Sequence, residues 1–406
     1  MSDELLQVPV GPAAGRWVTR SGCRHLLAVV HTVTTGNRLL DVLPVLESDF
    51  RIQVVFTRGP DIFGNGVERF LSRLGGVVLP WAQVTQMRFD LALSAAYGGI
   101  GELHAPVMVL PHGAGFNKYP APVPGGRLVR RGAFGLTPEL LVQDGRLVPA
   151  SIALSHAEQL DRLGRSCPEA VPAAVVVGDP CFDRVTASMA RRAEYRRALG
   201  VVGAQKLVVV SSTWGDRSLL GCRPELLSGL AALPRPDYRV VAVLHPNIWF
   251  GHGGWQVGSW LAGCRRAGLD VVEPEAGWQA AIVAADAVVG DHGSVTFYAA
   301  AAGVPVLLGA FPAGELDPSS AVAVLGRLAP KVNADQPLTE QVERVLAHRG
   351  EDWHGRILGL VSSEPGRSAG LVRRAMYRLM GLTEPPGPAR SDPFGLPTLA
   401  EWQGAR

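Results

Sequence analysis

Short apolar runs alternate along the chain with longer segments whose apolar residues recur at helical spacing. His25 to His31 (HLLAVVH) reads as a strand buried on both faces, with Arg38 to Leu46 as the helix after it. Ile52 to Phe56 is a second strand and Gly66 to Leu74 a second helix. Gly76–Leu79, Leu91–Ser94, Val107–Leu110, Ser151–Leu154 and Ala174–Val177 continue the set as short strands. Runs this apolar, separated by helices and without polar alternation, are the mark of a parallel sheet covered on both faces.

The pattern then restarts. Strands are expected at Leu207–Ser211, Arg239–Leu244, Asp270–Val272, Ala287–Gly290 and Val304–Leu308. Helices are expected at Pro224–Leu233, Gly254–Ala267, Trp278–Ala284 and Ser294–Ala302. Asp183 to Gly200 reads as a linking helix whose Arg191, Arg192, Arg196 and Arg197 form a solvated face. The expected fold class is therefore α/β, with two Rossmann-like parallel-sheet domains facing across a cleft. The expected boundaries are a tail over 1–20, a first domain over 21–200 and a second over 201–365. A helix over 366–382 and an irregular tail over 383–406 follow.

Composition narrows the classes. Charged residues make up 18% of 406 and hydrophobic residues 47%, which excludes bulk disorder. A net charge of +3 with no basic cluster gives a nucleic-acid partner no support. The 48 glycines and 31 prolines fit many short elements joined by tight turns. Met1 to Gly15 carries Asp3 and Glu4 and no apolar core, so it does not read as a secretory signal. Five scattered cysteines without a C-x-x-C pair point to a reducing cytoplasm and to neither disulfides nor zinc. Gly370 to Leu382 is amphipathic. It has two readings: a helix on the inner face of an anionic membrane, giving peripheral membrane contact, or a brace returning to the first domain.

Ligands of open α/β sheets bind beyond the carboxyl ends of the strands, so the loops there carry the chemistry. Loop one, Pro111 to Lys118, displays His112 between a strand end and two glycines, where a neutral imidazole can take a proton from a hydroxyl. Loop two runs from Gly178 to Asp183, with Asp183 also suited to capping the helix that follows. Loop three holds Ser211, Ser212 and Thr213, hydroxyls suited to a phosphate, and loop four holds His245. Loop five, Asp291-His292-Gly293-Ser294-Val295-Thr296, enters a small-residue helix whose N–H groups and dipole favour an anion. Plain N-capping by Ser294 is its structural alternative. Neither a P-loop nor a G-x-G-x-x-G follows a strand, and the first strand ends in a polar loop, His31 to Asn37, better suited to an acceptor than to NAD.

Taken in order, these loops resemble the CDP-glycerol glycerophosphotransferase family, whose members build or prime teichoic acids. Its H-G-x-x-x-x-K motif matches His112, Gly113 and Lys118, and its G-x-P-x-x-D matches Gly178, Pro180 and Asp183. Thr213 and Trp214 are similar to its P-T-W-R, His245 and Pro246 to its H-P, and Asp286, Asp291 and Ser294 to its D-x-x-x-T-D-Y-S-S. Gly215, Leu244 and the pair His292-Gly293 depart from it, since the family carries Arg, Arg and Tyr-Ser there. The resemblance implies the GT-B fold shared with nucleotide-sugar glycosyltransferases and UDP-GlcNAc 2-epimerases. It implies a metal-independent transferase with no tightly bound cofactor. The donor would be CDP-glycerol or a CDP- or UDP-linked sugar, and the acceptor a hydroxyl of the lipid-linked kind. His112, with Asp183, would be catalytic. Ser211, Ser212, Thr213, His245, Asp291, His292, Gly293, Ser294 and Thr296 would hold the donor, and Lys118, His31 and Asn37 the other substrate. Two alternatives stand beside this reading. One is an epimerase or hydrolase of the same fold using Asp90, Asp179 or Asp216, and the other is a non-catalytic member that only binds.

Overall fold

A computed structural model describes residues 6, 8–11, 14–120, 132–347 and 353–402, so part of the tail expected at 1–20 and the last four residues lie outside them. The chain divides into two compact units. One comprises Met1–Phe116, Pro120–Pro180 and Ser363–Ser391, the other Asn117–Tyr119, Cys181–Ser362 and Asp392–Arg406.

In the first unit the apolar runs become β1 (Arg24–Val30), β2 (Ile52–Arg58), β3 (Val78–Leu79), β4 (Leu91–Ser94) and β5 (Val107–Val109). A hairpin of β6 (Val142–Gln143) and β7 (Arg146–Leu147) follows, then β8 (Ser151–Leu154) and β9 (Ala174–Val176). Seven of these form one parallel sheet in the order β3-β2-β1-β4-β5-β8-β9. The hairpin turns on Asp144 and Gly145, both at positive φ, as a tight two-residue turn requires. Sheet order reverses between β1 and β4, which opens a crevice beyond their carboxyl ends.

The segment expected to be a polar loop after β1 is the start of a helix, Val33–Leu40. Thr32 caps it, with Thr32 and Thr35 bonding reciprocally in a capping box, so the hydroxyls that suggested a loop serve the helix end instead. The C-terminal helix, Ser368–Leu379, buries Val372, Ala375, Met376 and Tyr377 within the first unit. The Tyr377 hydroxyl donates to Asp49 at 2.6 Å and Arg373 pairs with Glu384. Burial of these residues favours the second of the two readings, a brace returning to the first domain. Among the described residues no helix is long and apolar enough to cross a membrane.

The second unit holds β10 (Lys206–Ser212), β11 (Tyr238–Leu244), β12 (Asp270–Val271), β13 (Ala287–Gly290) and β14 (Val306–Leu308). They make one parallel sheet, ordered β12-β11-β10-β13-β14, with its own reversal between β10 and β13. The expected linking helix is broken into Pro180–Ser188, a 3-10 turn Met189–Arg191, and Arg192–Ala198. Its arginines are not all a solvated face. Arg192 donates to the carbonyls of Val283 and Ala285 and to Asp286, and Arg196 donates to the Ala284 carbonyl and to Asp286. Two guanidinium groups thus satisfy carbonyls left over at the end of helix Trp278–Ala284. The C-terminal tail is irregular but pinned. Leu399 bridges Val272 at the edge of β12, the Phe394 carbonyl accepts from the Tyr195 hydroxyl at 2.7 Å, and Trp402 stacks on Trp249.

Candidate functional site

In the first unit, loop one leaves β5 one strand away from the reversal. Pro111 is buried and His112 is exposed, so the strand end presents the imidazole to solvent. The loop is held from below. Arg38, 8% exposed, donates from Nη2 to the Gly113 carbonyl at 2.8 Å and from Nε to the Pro111 carbonyl at 3.3 Å. Asp41 at 3.3 Å and buried Asp179 at 3.6 Å surround the same guanidinium. Gly115 takes φ 70° and donates its N–H to the Gly113 carbonyl, while Arg162 donates to the Phe116 carbonyl at 2.7 Å.

Several expectations for this unit change. His31 is fully buried, with Nε2 2.7 Å from the Gly98 carbonyl and its ring packed where a side chain on Gly59 would sit. It is a core residue under two glycines rather than an acceptor contact. Asn37 lies within helix Val33–Leu40. Asp183 is buried in the first turn of Pro180–Ser188 and counts with the second unit, while it is Asp179 that joins the network under His112. Asp90 is used at the other end of the sheet, pairing with Arg24 and accepting the His25 N–H.

In the second unit, loops three and five flank the reversal between β10 and β13, and Asp291 stitches them together. Its Oδ2 accepts the N–H of Thr213 at 2.8 Å and of Leu219 at 2.9 Å, and its Oδ1 accepts that of Gly293 at 3.0 Å. Burial nevertheless raises its carboxyl to about 6, outweighing the three N–H donors and the Lys118 charge. Asp291 is 0% exposed and its carboxylate is taken up by these three backbone N–H groups, so it organises the loops. Ser211 and Ser212 are buried inside β10. The Ser212 hydroxyl donates to the Thr213 carbonyl and accepts the Leu220 N–H, so it builds loop three from within. Thr213 is buried beside it.

Loop five opens helix Ser294–Ala301. Gly293, not Ser294, is its N-cap and no side chain caps it. Ser294 and Gly293 are half-buried at the surface of the turn. Below them, the Thr296 hydroxyl and His292 Nδ1 are buried with no hydrogen-bond partner. Burial, reinforced by Lys118, pushes the His292 imidazole down to about 3, so it is neutral at physiological pH. Gly290 lets the helix close on β13, because a Cβ there would occupy the place of the Thr296 hydroxyl. His245 caps the helix Pro246–His252, its Nδ1 accepting the Asn247 N–H at 3.1 Å, which puts the ring proton on Nε2. Its ring lies 6.4 Å from half-exposed Trp214.

Lys118 was expected with the other substrate. It counts instead with the second unit, where it bridges Leu316 and Tyr119 N–H donates to the Glu315 carbonyl. Burial lowers its ammonium, opposed by Asp291 and Glu315. A cation, a neutral histidine and an uncapped helix start therefore gather at one end of the second sheet, an arrangement that suits an anionic ligand. Among the described residues no group of three or more His, Cys, Asp or Glu is set to hold a metal ion. The residue that sequence reasoning missed is Arg38. Its signal was faint: an arginine beside Asp41 on a mainly apolar helix.

No family model and no curated protein matches the chain by sequence. Solved structures match it by fold. A variant of the wall teichoic acid polymerase TagF soaked with CDPG gives a TM-score of 0.58 at 10% identity over 88% of each chain. TagF itself gives 0.56 at 10% identity, over 88% of this chain and 89% of that one. The S. aureus MnaA–UDP structure gives 0.50 at 13% identity, over 92% of this chain and all of the other. These likenesses establish the fold: the chain has the GT-B architecture, two Rossmann-like parallel-sheet units.

Proposed function

We propose that this chain is a GT-B transferase that takes a CDP- or UDP-activated donor at loops three to five. It passes the activated group to an acceptor hydroxyl. His112 removes the hydroxyl proton, and the oxygen then attacks the donor. Attack at phosphorus transfers a glycerophosphoryl or polyol-phosphate group and releases CMP; attack at an anomeric carbon transfers a sugar and releases the nucleoside diphosphate. The proton ends on the imidazole and the negative charge on the departing phosphate.

The observation that carries this reading is the uncapped start of helix Ser294–Ala301 beside Lys118, with His292 Nδ1 and the Thr296 hydroxyl unpartnered beneath it. Donors of this kind, fixed before the reaction, stabilise a leaving phosphate without reorganising. Solved structures of two proteins of like fold, TagF described as a wall teichoic acid polymerase and with CDPG, and MnaA with UDP, agree with it. The epimerase alternative loses two of its three carboxylates, because Asp90 and Asp179 are both engaged in the framework, and keeps the exposed Asp216. In the proposed chemistry the protein's own groups carry the leaving-group charge.

The test is nucleotide release from a panel of CDP- and UDP-linked donors with polyol and sugar acceptors. Turnover should need an acceptor, survive EDTA, and fall about 100- to 10,000-fold in His112→Ala. Donor consumption without acceptor would favour the epimerase or hydrolase reading. Undiminished turnover in His112→Ala would remove the general base.

A further inference from the structure

A strand-end histidine is useful only if its backbone holds still, and β5 stops at Val109, three residues before His112. The carbonyls of Pro111 and Gly113, on either side of the imidazole, therefore lie beyond the sheet's own hydrogen bonds. One side chain meets both. Arg38 donates Nε–H to the Pro111 carbonyl and Nη2–H to the Gly113 carbonyl. Its planar fork spans two acceptors that flank a single residue, which an ammonium on a flexible stem cannot do. Arg38 is too buried to reach a substrate, and its charge is balanced by Asp41 and Asp179. Gly113 O is shared with the Gly115 N–H, so the same guanidinium also steadies the turn that leaves the histidine.

We infer that Arg38 is a positioning residue for His112: it fixes the backbone on both sides of the imidazole and ties it to Asp179. This rests on the reading of His112 as the base, but its test does not. Arg38→Lys keeps the charge and loses the fork. Amide exchange at Gly113 and Gly115 should quicken about tenfold in that variant, and the rate at which diethyl pyrocarbonate modifies His112, read by peptide mass spectrometry, should change with it. In turnover, kcat should fall about 100-fold while the Kd for CDP or UDP stays within about twofold, since the lost contact orients the chemistry and not the nucleotide.

If Arg38→Lys does not fold, the charge-balanced pair Arg38→Gln with Asp179→Asn is measured the same way, and failure of both to fold assigns Arg38 to stability alone and overturns the inference. A folded variant with wild-type exchange and wild-type His112 reactivity overturns it too. Changed exchange and reactivity together with an undiminished His112→Ala enzyme would uphold the positioning and reject the base.

Discussion

His292 is held neutral between the half-buried Lys118 ammonium and a helix start, and that state has a stability consequence. Its unfolded value is 6.5 and its folded value about 3, so below pH 6.5 the unfolded chain takes up a proton that the folded one refuses. The group's contribution is complete above pH 6.5 and is lost as pH falls through about 3. Urea denaturation of the wild type and of His292→Gln should therefore diverge between pH 6.5 and pH 3, the wild type losing more. Parallel pH profiles would mean that the imidazole is open to solvent. The same neutrality suits the chemistry, because a neutral ring donates a hydrogen bond without a counter-charge to be displaced. Asp291 shows the complementary choice: a carboxylate expected among the donor contacts is spent on three backbone N–H groups and shapes the loops from beneath.

At the scale of elements, the helix Ser294–Ala301 approaches β13 as closely as it does because Gly290 has no side chain. Gly290→Ala should cost about 1–3 kcal/mol by overpacking against Thr296, read by chemical denaturation, and should weaken nucleotide binding as the helix start shifts. Unchanged stability would mean that the strand and helix have room to spare. The strands of both sheets were legible in the sequence because runs such as Leu207 to Ser211 and Ala287 to Gly290 are buried on both faces and leave no other reading. The start of the helix after β1 was not, because Thr32, Thr34, Thr35 and Gly36 have weak helix propensity and their capping box looks like a loop. The hairpin at Asp144-Gly145 carried a turn signal and was overlooked. Arg192 and Arg196 show the deeper limit. Helical spacing tells which face they share, but only the fold supplies Asp286 and the helix end they meet.

At the scale of the whole molecule, each unit carries a sheet reversal, and the residues of chemical interest sort between the units: His112 with its arginine support in the first, the loops suited to an anion in the second. That His112, His245 and loop five follow strand ends was legible from the apolar runs alone. Arg38 could not, since its contacts join positions more than seventy residues apart and have no local pattern. Lys118, six residues after His112, was assignable to the second unit only by its pairing with Leu316. The central claim is that the second unit's loops hold a nucleotide's phosphates. Isothermal titration with CMP, CDP, UDP, CDP-glycerol and UDP-GlcNAc tests it most directly, repeated on Lys118→Met and His245→Ala. The account predicts saturable binding of at least one diphosphate nucleotide, weakened about tenfold or more in each variant, as expected on losing a charged or charge-assisted contact. No binding of any nucleotide, or binding indifferent to both substitutions, would contradict it.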